Sequence, residues 1–354
     1  MKSKLIKILK IIFLTIFLCI LIAFIFPTWT SNIAGENSIS ELKQVAINGT
    51  KHEVMIRGKD ISNPVILFVH GGPGCSEIPY AAKYQNLLEK DFTVVQYDQR
   101  GSGKSYHFFE DYSNLSTDLL VDDLLAMTDY ISGRFDKEKI ILIGHSFGTY
   151  LGVLAANKAP EKYEAYIGIG QMSDTHQSEQ DSLYYCIQQA KLQGSTSDYE
   201  YLQSLIPKLE NGELLVMPRD YVRKYGGAAR QIDDNKDYVT GFLFGSEYNL
   251  LDVIRYSRGV AGSQNILMPQ AMDNPLPTLV TSLDLPFYFI MGQYDYMTSA
   301  SAAKTYFEKI STGYGKEYIL YENSAHYPQF EEKERFYNWM TENFGFRHTL
   351  THTL

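Results

Sequence analysis

Cysteine is scarce, with three in 354 residues (Cys19, Cys75 and Cys186). No CxxC pair occurs and no spacing demands a bridge. Neither a disulfide framework nor a thiolate metal site is therefore expected. Positive charge is also in short supply: 32 Lys and Arg stand against 41 Asp and Glu, for a net charge of −9. Phosphate backbones are bound by clustered Lys and Arg, so nucleic acid is not the expected partner. An acidic body suits a cationic or amine-bearing substrate, and it serves solubility equally well. What the chain has is length and apolar content. At 45% hydrophobic and 21% charged it can bury a large catalytic domain with an insertion, or two average domains. Tyr is abundant, with 27 copies, each offering a flat apolar face with a polar tip.

The N-terminus reads as an address. Lys2, Lys4, Lys7 and Lys10 precede an uncharged run, IIFLTIFLCILIAFIF, at residues 11–26. Removing these four charges leaves −13 on the rest of the chain. The run of 16 is longer than most signal-peptide cores and shorter than the ~20 residues of a spanning helix. Leu5, Ile6, Ile8 and Leu9 extend its apolar face, because Lys7 and Lys10 can snorkel. Trp29 would mark the far interface. The expectation for residues 1–30 is an uncleaved single-pass anchor in the cell membrane. The lysines stay cytoplasmic, which leaves the body outside. A cleaved signal peptide and a secreted protein is the alternative, with Asn32-Ile33-Ala34 as a weak cleavage match.

The rest alternates in a way that predicts an α/β fold. ELKQVAI and KHEVMIR flank Asn48-Gly49, a hairpin signal. Short apolar runs at 65–69, 92–97, 139–146, 163–170, 286–292 and 317–322 read as buried strands, and 114–132 carries helical periodicity. Apolar strands alternating with helices predict a mostly parallel sheet covered on both faces, antiparallel at its start. From 172 to 275 no buried-strand pattern appears. The Tyr-rich helical segments there read as a cap inserted into a core of residues 38–171 and 276–345. The tail RHTLTHTL is short and polar.

The chemistry centres on Gly144-His145-Ser146-Phe147-Gly148. A β-branched run precedes it and a helix-compatible stretch follows, the context of a nucleophile elbow. A serine on so tight a turn needs small neighbours, which Gly144 and Gly148 supply. The Phe147 N–H then faces a developing oxyanion at a helix N-terminus. A second donor is expected from His70-Gly71-Gly72-Pro73-Gly74, at Gly72 or else Gly71. Serine needs a base. His70 lies in a glycine loop, His145 adjoins the serine, and His348 and His352 sit in the tail. His326, in the loop after a strand, is the best candidate. Asp295 follows the strand at 286–292 on the catalytic edge and is the expected orienting carboxylate. Asp252 and Asp284 are less well placed. DQRGSGKS at 98–105 ends like a phosphate-binding loop, but the glycine that motif needs is Asp98, so nucleotide binding is not expected. The triad needs no metal or cofactor.

Taken together, HGGPG at 70–74, DQRGSGKS at 98–105, GHSFG at 144–148, GQYD at 292–295 and SAH at 324–326 resemble the proline iminopeptidase family of α/β-hydrolases, over roughly residues 45–345. The resemblance implies an α/β-hydrolase fold with a helical cap and a Ser146–His326–Asp295 triad. It implies an aminopeptidase acting on small peptides through an acyl-enzyme. It also implies that cap acids hold the substrate's amino terminus, with Glu179 and Glu247 as candidates. The chain departs from the family pattern at Phe147, where Trp is usual, and at His145, where Gly is usual, so a proline preference does not follow. Two other readings stay open: an esterase, lactonase or amidase on the same fold, and a ligand sensor without turnover.

Overall fold

The computed structural model describes residues 2–346; His348 and His352 lie outside the described residues. Asn48 and Gly49 both take positive φ, 44° and 81°. That geometry matches the twist of flanking strands. It joins β1 (Ile39–Ile47) to β2 (Thr50–Gly58) with Ile47 opposite Thr50. The other strands are β3 (Val65–Val69), β4 (Thr93–Tyr97), β5 (Ile140–His145), β6 (Tyr163–Ile169), β7 (Phe287–Gly292) and β8 (Lys316–Tyr321). Their order is β1-β2-β4-β3-β5-β6-β7-β8. Pairing is antiparallel across β1–β2 and β2–β4 and parallel from β4 to β8.

Strands buried on both faces need helices on both faces. Val65, Leu67 and Val69 of β3 enter one apolar cluster, with Leu120, Leu124 and Leu151. Ile66 and Phe68, pointing the other way, enter a second, with Phe336, Met340 and Phe344. The helices are α1 (Lys2–Ile25), α2 (Ile78–Gln85), α3 (Thr117–Phe135), α4 (Phe147–Lys158), α5 (Thr175–Leu192), α6 (Thr196–Glu210) and α7 (Arg219–Lys224). They continue with α8 (Asp234–Phe244), α9 (Leu250–Asp273), α10 (Leu276–Leu279), α11 (Ala300–Lys309), α12 (Pro328–Glu331) and α13 (Lys333–Phe344).

Two features of this layout position a site. Chain order reverses at β3, with β4 on one side and β5 on the other. Ligands bind in such crevices, outside the carboxyl ends of the strands. Helices α5 to α9 all fall between β6 and β7. They hold a small core of their own that includes Leu183, Cys186, Leu202, Met217 and Val222.

The segment after α1 is built into the body. Arg57, buried and paired to Glu89, donates to Thr30 Oγ1 and the Ser31 carbonyl, each at 2.6 Å. Lys104 Nζ donates to Thr28 Oγ1 at 2.8 Å. Trp29 N–H donates to the Ser246 carbonyl at 3.0 Å. Residues 4–25 of α1 are long and apolar enough to cross a membrane, with no part buried.

Candidate active site

Ser146 stands between β5 and α4, at the cap of α4, with φ 54° and ψ −126°. Residues other than glycine seldom occupy that region, and strain there marks functional turns. The neighbouring glycines are obligatory on steric grounds. A Cβ on Gly148 would lie 1.9 Å from the Val69 carbonyl oxygen, and one on Gly144 would lie 2.6 Å from that of Gly148. The Ser146 N–H is tied to the Ile169 carbonyl of β6 at 3.0 Å.

The loop after β3 packs directly on this turn. A Cβ on Gly71 would lie 2.6 Å from Ser146 Cβ. Gly72 has φ 117°, which only glycine adopts readily. The DQRGSG turn braces the loop. Gln99 N–H donates to His70 Nε2 at 3.1 Å, and Gln99 Nε2 donates to the His70 carbonyl at 2.6 Å. His70 therefore carries its proton on Nδ1 and donates it to the Gly71 carbonyl, 2.9 Å away. Burial lowers the His70 pKa to about 4, so it is a neutral strut. Asp98, also in this turn, accepts from Lys104 N–H and the Tyr248 hydroxyl, both at 2.6 Å. Burial raises its pKa to about 7. These bonds give the DQRGSGKS segment a role as scaffold.

Asp295 and His326 stand on the loops after β7 and β8. Their contact, Nδ1 to Oδ2, is 2.9 Å, and both are buried. Asp295 Oδ1 accepts from the Met297 and Thr298 amides at 2.9 and 3.1 Å, and Oδ2 accepts from Thr298 Oγ1 at 3.0 Å. Burial pushes the Asp295 carboxyl up. His326 and these donors outweigh it and hold the carboxyl below its ordinary range. An ionised Asp295 fixes the proton of His326 on Nδ1 and leaves Nε2 as an acceptor. The helical insertion clamps both loops: Tyr296 N–H donates to Gly227 O and His326 N–H to Ala228 O, at 3.0 and 2.9 Å.

Ser146 and His326 line one cavity of about 720 Å³, with Gly71, Gly72 and Glu77. Among the described residues no hydrogen bond joins their side chains. A smaller recess of about 50 Å³ adjoins Ser146, bounded by Gly72, Phe147, Glu179 and Arg219. Cys75 also lines the larger cavity, but burial raises its thiol pKa to about 11, so it is no rival nucleophile.

Asp295 lines neither hollow and touches His326; Ser146 and Gly72 line both, His326 the larger cavity and Phe147 the recess. Glu179 is there too, but its charge is matched. Its Oε1 pairs with Arg219 Nη2, and its Oε2 accepts from the Met217 N–H at 2.9 Å. Glu247 is not on either wall; its carboxylate binds the Ser246 N–H at 3.0 Å, beside the α8–α9 junction. Two partners were invisible in sequence. Arg219 lies 40 positions from Glu179. Glu77 Oε1 lies 2.5 Å from His145 Nδ1, while His145 Nε2 lies 3.0 Å from the His326 carbonyl. Both His145 nitrogens thus face acceptors, which only the imidazolium satisfies. Burial alone would lower its pKa, but Glu77 and the His326 carbonyl raise it above the usual 6.5.

Comparisons with known proteins give the family. A probable aminopeptidase of Bacillus subtilis, YbaC, is 30% identical over 314 residues, 88% of this chain and 98% of that protein. A proline iminopeptidase of Saccharolobus solfataricus is 23% identical over 293 residues, 78% of this chain and 83% of the other. The crystal structure of a proline iminopeptidase-related protein from Thermus thermophilus shares the fold. Its TM-score is 0.54 at 18% identity, covering 86% of this chain and 96% of its own. The family profile for the alpha/beta hydrolase fold matches residues 64–333, and with the elbow, sheet order and relatives above it the chain belongs to the α/β-hydrolase fold family.

Proposed function

We propose that this protein is a serine hydrolase that releases the N-terminal residue from small peptides. The observation that carries the reading is Ser146. A strained, positive-φ serine shares a cavity with an imidazole whose Nδ1 is committed to a buried carboxylate. His326 Nε2 takes the hydroxyl proton as Ser146 attacks the carbonyl. The Phe147 amide, at the start of α4 where N–H groups lack intrahelical partners, and the Gly72 amide hold the oxyanion. His326 then protonates the departing amine, and water hydrolyses the acyl-enzyme by the same route. No metal or cofactor enters these steps.

Restriction to a free amino terminus is supported by relatives named a probable aminopeptidase and a proline iminopeptidase. Both oxygens of Glu179 are taken, by Arg219 and the Met217 N–H, whereas Glu77 spends only Oε1 on His145, so we place the ammonium near Glu77. Its Oε2 is buried and unpartnered, on a residue of the cavity wall. The test compares unblocked and N-acetylated aminoacyl-arylamides, with a short acyl ester as a third arm. The proposal expects turnover of the unblocked amides and loss of it on acetylation. Equal turnover of blocked and free substrates, or turnover of the ester alone, would refute it.

For location, we propose that α1 is a retained single-pass anchor with the hydrolase body outside, the insertion of α5 to α9 serving as its cap. Retention is favoured by the strap at 26–31: cutting it away would strip Thr30 from Arg57 and Thr28 from Lys104.

A further inference from the structure

Buried polar groups are almost always paired, so several orphans around one hollow call for a ligand group that completes them. The small recess beside Ser146 has three. Ser173 Oγ, Thr175 Oγ1 and Arg219 Nη1 are buried atoms without a hydrogen-bond partner. All three residues line that recess. Ser173 and Thr175 are 1% and 4% exposed. Ser173 lies on the short segment between β6 and α5, and Thr175 is the first residue of α5. Glu179, which also lines the recess, takes Nη2 of the guanidinium and leaves Nη1 over.

The position of the recess says which part of a substrate enters it. The recess is walled by Gly72 and Phe147, the residues of the oxyanion side, and not by His326. A leaving amine must sit within reach of His326 to be protonated. It therefore departs through the larger cavity, which His326 lines, and the recess receives the side chain of the acyl residue, whose ammonium stays beside Glu77 on the larger cavity's wall. Its chemistry follows from the orphans. An arginine N–H only donates, whereas the two hydroxyls donate or accept. A group that satisfies all three must carry an accepting oxygen. Met172, Met268 and Met297 give the wall an apolar part, Ser178 and Thr298 add hydroxyls to it, and the space of about 50 Å³ suits a short side chain. The Arg219–Glu179 pair is neutral overall, so a carboxamide oxygen is accepted as well as a carboxylate.

We infer that Ser173, Thr175 and Arg219 form a specificity subsite for the first side chain of the substrate, selecting a short residue that ends in a carbonyl oxygen, Asn or Asp, over an apolar one of equal size. The inference rests on the hydrolase reading of Ser146 and adds the substrate class to it. It gives a role to an arginine that sequence spacing alone left unmarked. It also explains why Glu179, though buried beside the nucleophile, is not free for an ammonium.

The test uses the full-length protein in detergent with Asn, Asp and Leu arylamides, reading kcat/KM for each. A site built around hydrogen bonds rejects an analogue that cannot make them, so Leu is expected to fall at least ~100-fold below the better of Asn and Asp. The Asn-to-Asp ratio reports how much the guanidinium charge adds to the hydrogen bonds. Thr175→Val and Ser173→Ala, checked for unchanged thermal unfolding, are expected to narrow the gap to Leu. Equal turnover of the three amides, or a preference for Leu, overturns the subsite. The same preference in wild type with no narrowing in either variant overturns its assignment to these residues. If no amide is cleaved and Ser146 takes up no fluorophosphonate, the hydrolase reading itself falls, which is a separate outcome.

Discussion

Replacing His145 by Phe tests the buried pair behind the catalytic loop. The imidazole and the Glu77 carboxylate are 3% and 2% exposed, with Nδ1 and Oε1 2.5 Å apart. Phe fills the space but leaves the Glu77 carboxyl buried without its partner. Removing one partner of such a pair costs about 3–5 kcal/mol, a large share of the ~5–15 kcal/mol that holds a typical protein folded. At roughly 2–4 °C per kcal/mol, the midpoint should drop by about 6 °C or more. Removing both charges, in Glu77→Gln/His145→Phe, spares most of that loss. Urea unfolding of wild type, both single variants and the double variant gives the coupling directly. A His145→Phe protein as stable as the double variant would refute the reasoning. The pair also has a pH signature. Its folded-state pKa lies above 6.5. Its contribution is therefore complete below about pH 6.5 and disappears as pH rises through the folded value. The stability gap between wild type and the double variant should shrink over that alkaline range. Because His145 holds the His326 carbonyl, His145→Phe should also lower kcat more than it raises KM.

Ser146→Gly removes the strain of φ 54°, ψ −126°; it should abolish turnover while raising stability by about 1 kcal/mol net of the glycine entropy, read as a higher unfolding midpoint. Asp295→Asn keeps the packing but frees His326 to adopt the wrong tautomer; steady-state kinetics should show kcat down by the order of 10⁴-fold with KM little changed. Gly148→Ala places a methyl 1.9 Å from the Val69 carbonyl oxygen, so the protein should fail to accumulate in folded form, judged by limited proteolysis. A chain starting at Phe26 should be more stable than one starting at Asn32 by about 1–3 kcal/mol in urea, because only the former keeps the Thr28 and Thr30 partners of Lys104 and Arg57.

What the sequence made legible was what short-range sterics and periodicity dictate. The Asn48-Gly49 hairpin, the apolar strands and the elbow glycines each depend on neighbours a few residues away. The order of Ser146, Asp295 and His326 along the chain follows from strands that all end on one edge of the sheet. The helix α2 escaped notice because it is only eight residues long, with Pro79 near its start, too short for a periodic pattern. The pairs Glu77–His145 and Glu179–Arg219 escaped for a different reason. Nothing local distinguishes a carboxylate that meets a distant cation from one that faces water. Glu179 was marked only through the family resemblance, as a cap acid, and its neutralisation depends on how α5 meets the start of α7. Glu247 had the same appearance in sequence and sits instead beside the strap at 26–31, where the Trp29 N–H meets the Ser246 carbonyl.

The most direct test of the account is the mass of the full-length protein after exposure to a fluorophosphonate, followed by peptide mapping. The account predicts one covalent adduct, on Ser146, absent from Ser146→Ala and formed much more slowly in His326→Gln. A wild-type protein that takes up no label, or a label that persists in Ser146→Ala, would contradict it.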